Sequence, residues 1–183
     1  MSADALAPYI LADDSSRRAL EAVRSVGPFG AYVAAGFIRN RVWNSFYKPK
    51  PAHVIADTDV VYFDRNDLSL ATEQGFEQAL ERECAGQEWQ VRNQARMHEK
   101  ASDPPYPSIS EALAHWPETA TAVAVRLNAD DRLEILAPFG LDDLLAHRLR
   151  PTPAIIRRDR TIFDVRVVQK GWLERWPNVE LVN

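Results

Sequence analysis

The chain is poor in cysteine, carries no net positive charge and holds no long apolar run. Its single cysteine, Cys84, cannot close an internal disulfide and fits a reducing compartment. Cys84 ends the helical stretch ALERECAGQ, where an unpaired thiol serves either as a small apolar residue or as a nucleophile. Against 26 acidic residues stand 22 basic ones, a formal net charge of -4. Such a field repels a phosphate backbone and argues against a general nucleic-acid binder, while leaving room for a local basic patch. The opening MSADALAPYILADDSS has neither a basic region nor an apolar core of signal-peptide type. No stretch approaches the roughly 20 apolar residues of a membrane span. The expectation is a cytoplasmic protein with no membrane partner. His53, His115 and His147 show no H-x-x-E-H or H-E-x-x-H spacing, so no zinc site is indicated. A G-x-S-x-G elbow, a P-loop, internal repeats and low-complexity tracts are also absent.

What remains is enough for a real core: 46% of the 183 residues are hydrophobic, which suits one domain. Asp13, Asp14 and Ser15 open a helix in which Leu20, Val23 and Val26 recur at helical spacing before Gly27. AYVAAG reads as a strand or as the first turns of a helix; a strand, a turn at Gly36 and a helix over FIRNRVWNSFY is the favoured order. HVIADTDVVYFD reads as a strand and the second half of RNDLSLATEQGFEQALEREC as a helix. EWQVRNQARMHEK alternates as a second strand. DPPYP is a linker, Ser108 to Trp116 a short helix, and TATAVAVRLNADDRLEILAPFG a hairpin turning at residues 128–131. GLDDLLAHRL and the tail through Trp172 read as helices. The fold class expected is α/β (α+β): a small mixed sheet flanked by helices. One domain is expected over 1–183, with a core at about 16–100 and a C-terminal hairpin and helical part at about 105–183.

The acids of DTDVVYFD pose the chemical question. Residues two apart on a strand share a face, so Asp57 and Asp59 project together, with Thr58 opposite. Two ionised carboxylates side by side repel, and a divalent cation removes that penalty. Mg²⁺ favours a few carboxylates together with substrate phosphates. A loop with solvated carboxylates is the alternative. Asp64 begins DRND and reads as a turn residue. Upstream, the Gly36 turn would let backbone N–H groups approach phosphate oxygens at a helix N-terminus. Arg39, in the first turn of that helix, could clamp phosphate, pair with Asp57 or Asp59, or sit in solvent.

AGFIRNRVW, DTDVVYFD and WQVRNQARMH resemble three blocks of a bacterial nucleotidyltransferase-like family of the DNA polymerase β-like nucleotidyltransferase superfamily. The resemblance runs from Ala31 to the GWLERWP tail. It implies a mixed sheet flanked by helices, Mg²⁺ (or Mn²⁺) as cofactor, and a nucleoside triphosphate (NTP) as donor. Carried across, Gly36 matches the turn glycine and Asp57 and Asp59 the metal pair. Two positions depart: Phe37, not glycine or serine, follows Gly36, and Asn93 stands where a third acid is expected. Glu88 or Glu99 could substitute for that acid, or be surface charges. The expected function is metal-dependent transfer of a nucleoside monophosphate (NMP) to an unidentified hydroxyl acceptor. The alternative is a catalytically degenerate nucleotide-binding, regulatory or interaction protein.

Within RNQARMH, alternation sets Arg92, Gln94 and Arg96 against Asn93 and Met97. If this strand neighbours the acidic one, Asn93 becomes a metal-side or acceptor contact. His98 could be a general base or a strand cap. Trp172 and Trp176, four apart, read as packing residues rather than base-stacking ones, and Lys170 could reach a phosphate or solvent. The hairpin and tryptophan-rich tail could form a homodimer face.

Overall fold

The computed structural model describes residues 5–51 and 57–182. A short helix α1 (Ala7–Ile10) leads into α2 (Asp14–Val26), capped by Asp13, whose carboxylate accepts from Ser15 N at 3.3 Å and Ser16 Oγ at 2.5 Å. At Gly27 a Cβ would stand 2.5 Å from Val23 O, so only glycine lets the chain leave the helix this way. Strand β1 (Tyr32–Ala34) then runs into α3 (Gly36–Asn44), the strand–turn–helix order expected.

Strand β2 (Thr58–Tyr62) carries the acidic segment, α4 (Leu70–Glu83) follows the Ser69 cap, and β3 (Trp89–Asn93) closes this half. The expected strand start at residues 53–56 lies outside the described residues. The third strand is shorter than its alternation suggests. Residues 94–96 form a 3₁₀ turn and α5 (His98–Ala101) follows, because the Asn93 side chain accepts from Ala95 N at 3.1 Å and turns the backbone. Next come α6 (Ile109–Ala114) and the hairpin β4 (Ala124–Leu127) and β5 (Leu133–Leu136).

These strands form one mixed sheet in the order β3-β2-β1-β4-β5, with only β2 and β3 parallel. The register sorts side chains onto two faces. Val33, Val60, Tyr62, Val91 and Val125 join the main core with Leu20 and Leu80 from α2 and α4. Tyr32, Ala34, Val61 and Ala124 face the other way, against Leu113 of α6. Asp59 pairs with Ala34 and Gln90 and belongs to this second face. On the outer edge of β3, α4 supplies the missing acceptors. Glu73 Oε1 takes Asn93 N at 2.8 Å and Glu77 Oε1 takes Val91 N at 2.9 Å. Arg96 and Arg92 neutralise these carboxylates at 2.5 and 2.7 Å.

The tail returns to the sheet. Helix α7 (Asp142–Leu145) precedes β6 (Arg148–Leu149), which pairs in parallel with the terminal β7 (Glu180–Leu181). Between them lie α8 (Pro153–Arg158), α9 (Thr161–Gln169) and α10 (Trp172–Arg175). The single tail helix expected is broken at Gly171, in the left-handed region at φ 58°. Trp176 stacks edge-on against Trp43 at 5.1 Å and donates to Asn44 Oδ1 at 2.9 Å, fixing the tail to α3. Among the described residues, no helix is long and apolar enough to cross a membrane.

Candidate active site

The turn between β1 and α3 is built from an alanine in a glycine conformation. Ala35 has φ 56° and ψ -123°, held by Ala35 N donating to Val123 O at 3.1 Å and by Ala35 O accepting from Ile38 N and Arg39 N. An L residue there is strained. Gly36, the residue singled out in the sequence, has no positive φ, and a Cβ on it would make ordinary contact with the Asn40 and Arg39 side chains, the nearest atom being Asn40 Nδ2 at 3.6 Å. It opens α3, where the first N–H groups lack intrahelical acceptors, and it lines a cleft of about 750 Å³ with Asn40, Lys50, Asp57, Thr58 and Arg175.

Asp57 is exposed on that cleft, just before β2. Asp59, on the strand, is half-buried. Burial, and then the neighbouring Asp57, push its carboxyl up to about 6, against the pull of Arg166, Arg39 and Arg92. The structure therefore brings Gly36 and Asp57 to one cleft and sets Asp59 within the field of Asp57.

Arg39 is drawn inward rather than offered to solvent. Only 6% exposed, it donates to Thr121 Oγ1 at 3.0 Å and Asn40 Oδ1 at 2.9 Å, and its guanidinium lies 4.4 Å from the Trp172 ring centre. Its Nε has no hydrogen-bond partner among the described residues. Desolvation lowers its pKa to about 10, while Glu118 acts in the opposite sense.

Asn93 is not brought to the acids. The parallel register pairs it with Tyr62, on the face opposite Asp59, and it is fully buried. Its amide donates to Asp64 O at 2.6 Å and Asp67 O at 2.9 Å and accepts from Asp64 N at 3.1 Å, so it ties down the loop between β2 and α4. The β3 residues on the Asp59 face are Gln90 and Arg92. Of the two possible substitutes, Glu88 lines the cleft, whereas Glu99 lies on α5, beyond the end of β3. Among the described residues, no three His, Cys, Asp or Glu side chains form a metal-holding group. His98 Nδ1 lies 3.0 Å from Ala95 O, at the turn after β3.

Sequence reasoning missed Glu118, Thr121, Arg166 and Arg175. Glu118 is fully buried and paired with Arg166 at 2.7 Å. No spacing announces such a pair across 48 positions. The Trp172–Trp176 interval was visible, and the structure confirms that both pack, flanking Arg39 and Arg175.

A family model described as Nucleotidyltransferase matches residues 21–181. Among solved structures, an NMR structure described as revealing a CCA-adding enzyme head domain is 30% identical with a TM-score of 0.82, covering 100% of this chain and 96% of that one. The Thermotoga maritima CCA-adding enzyme complexed with tRNA_CCA matches at 16% identity and TM-score 0.60, over 97% of this chain and 42% of that one. A tRNA-processing enzyme with CTP matches at 19% identity and TM-score 0.54, over 90% of this chain and 43% of that one. At these last two identities the likeness is one of fold, and the chain spans less than half the length of those enzymes. No curated protein sequence matches the chain significantly. By family model and by its closely superimposable relative, the chain belongs to the nucleotidyltransferase family.

Proposed function

We propose that the chain transfers an NMP from an NTP to a hydroxyl acceptor, with Asp57 and Asp59 holding a divalent cation. The observation that carries this reading is the register that sets Asp59 opposite Ala34, at the end of β1 that leads into the Gly36 turn, with Asp57 on the cleft that Gly36 lines. Two hard oxygen donors that resist joint ionisation fit Mg²⁺ or Mn²⁺, with the remaining positions left to phosphate and water. Such an ion, when bound, screens the triphosphate and favours attack at the α-phosphorus. In the reaction the acceptor oxygen bonds to the α-phosphorus, the bond from it to the oxygen bridging to the β-phosphate breaks, pyrophosphate leaves, and the hydroxyl proton passes to water. The chain's own part is to offer the N–H groups of Gly36 and Phe37, at the start of α3, to phosphate and to line the cleft with Asn40, Lys50 and Arg175. The CTP named with one fold relative supports an NTP donor. The lone cysteine supports a cytoplasmic setting.

A second reading, nucleotide binding without turnover, is favoured by the position of Asn93 away from the acids and by Phe37 after Gly36. One experiment separates the two. The folded protein is incubated with labelled NTPs, Mn²⁺ or Mg²⁺ and a cell extract, and a thermal-shift assay is run in parallel. Label transfer that disappears in Asp57→Asn and Asp59→Asn supports the first reading. Metal-dependent stabilisation by NTP without product selects the second, and no response to any nucleotide removes both.

A further inference from the structure

We infer that Arg175, from the C-terminal helix α10, is a binding residue for the polyphosphate of the donor. This deepens the proposed reaction and rests on it. Arg175 stacks over Trp176, 4.6 Å from the ring centre, and lines the cleft that also holds Gly36 and Asp57. Other arginines of the tail meet carboxylates: Arg148 meets Glu180 at 3.2 Å, Arg166 meets Glu118 at 2.7 Å, and Arg158 meets Asp103. Arg175 meets none among the described residues, and its Nε is buried without a hydrogen-bond partner. Burial alone lowers its pKa, with no acid opposing the shift. It also stands close enough to Arg39 for the two like charges to disfavour each other.

A guanidinium whose Nε is buried without a partner is costly to hold, and the buried charge of Arg39 nearby adds to the cost. A phosphate chain reaching from the acids to α10 removes both penalties and suits the bidentate fork of arginine. Lys50 lines the same cleft and extends the cationic wall. The stack on Trp176 holds the guanidinium in place before ligand arrives, which limits the ordering cost of binding.

Calorimetric titration of the full chain with inorganic tripolyphosphate, with ATP and CTP in the presence of Mg²⁺, and with the corresponding nucleosides tests this. Wild type should bind tripolyphosphate and at least one NTP. Arg175→Gln should weaken both by tenfold or more, Arg175→Lys should retain most of the affinity, and any nucleoside affinity should be unchanged. On the wild type, phenylglyoxal labelling of Arg175, read by mass spectrometry, should be blocked by tripolyphosphate; this needs no variant to fold. Unchanged affinity in a folded Arg175→Gln, or labelling that tripolyphosphate does not block, overturns the role of Arg175 alone. Wild type that binds neither tripolyphosphate nor any NTP overturns the proposed reaction and this inference together.

Discussion

Asp59 stands in surroundings that penalise its own charge. Its pKa moves from 3.8 to about 6, so the folded chain holds a proton there that the unfolded chain has released. The sign follows from linkage. The contribution is fully present below pH 3.8, is lost as the pH rises through about 6, and leaves the folded state at a disadvantage above that. At about 1.4 kcal/mol per unit the loss has an upper bound of about 3 kcal/mol. Asp59→Asn should therefore gain about 2 kcal/mol of stability relative to wild type between pH 4 and pH 8. Urea denaturation of both proteins across that range checks it, and a difference that stays flat with pH would contradict the assignment. The strand that carries Asp59 was legible in the sequence, because an apolar run bounded by acids needs no partner to be seen. The strained residue of the nearby turn was not: a glycine draws the eye, yet Ala35 carries the positive φ.

At the scale of elements, helix α4 and strand β3 act as one unit through buried carboxylates. Glu73 is 1% exposed and serves the backbone N–H of Asn93 and the guanidinium of Arg96 together. Glu73→Gln keeps the shape but removes the charge that Arg96 needs, and should cost about 3 kcal/mol. Chemical denaturation measures this, and a loss below about 0.5 kcal/mol would show that the pair contributes little. Alternation revealed both arms of the hairpin, whereas β1 and β2 were read from short apolar runs that are buried almost throughout. For β3 it gave the strand but not the partner register, and a shift of one residue turns every side chain to the other face. Asn93 was expected near the acids for this reason, and its side chain serves a loop instead.

For the whole molecule, the tail completes the cleft. Trp176 is fully buried, packs on Trp43, bonds Asn44 and supports Arg175. Trp176→Ala should destabilise the fold by about 4 kcal/mol and weaken nucleotide binding beyond that of a variant distant from the cleft. Thermal unfolding and NTP titration read the two effects separately. This assembly was hidden in the sequence, because Asp59, Glu118, Arg166 and Arg175 are gathered around Arg39 only through tertiary packing. The sheet itself ends differently on its two sides. Since carboxylates already occupy the amides of Val91 and Asn93, the outer side of β3 offers another chain few donors to zip onto; strand exchange or intermolecular β-pairing on this sheet is expected to begin along β5.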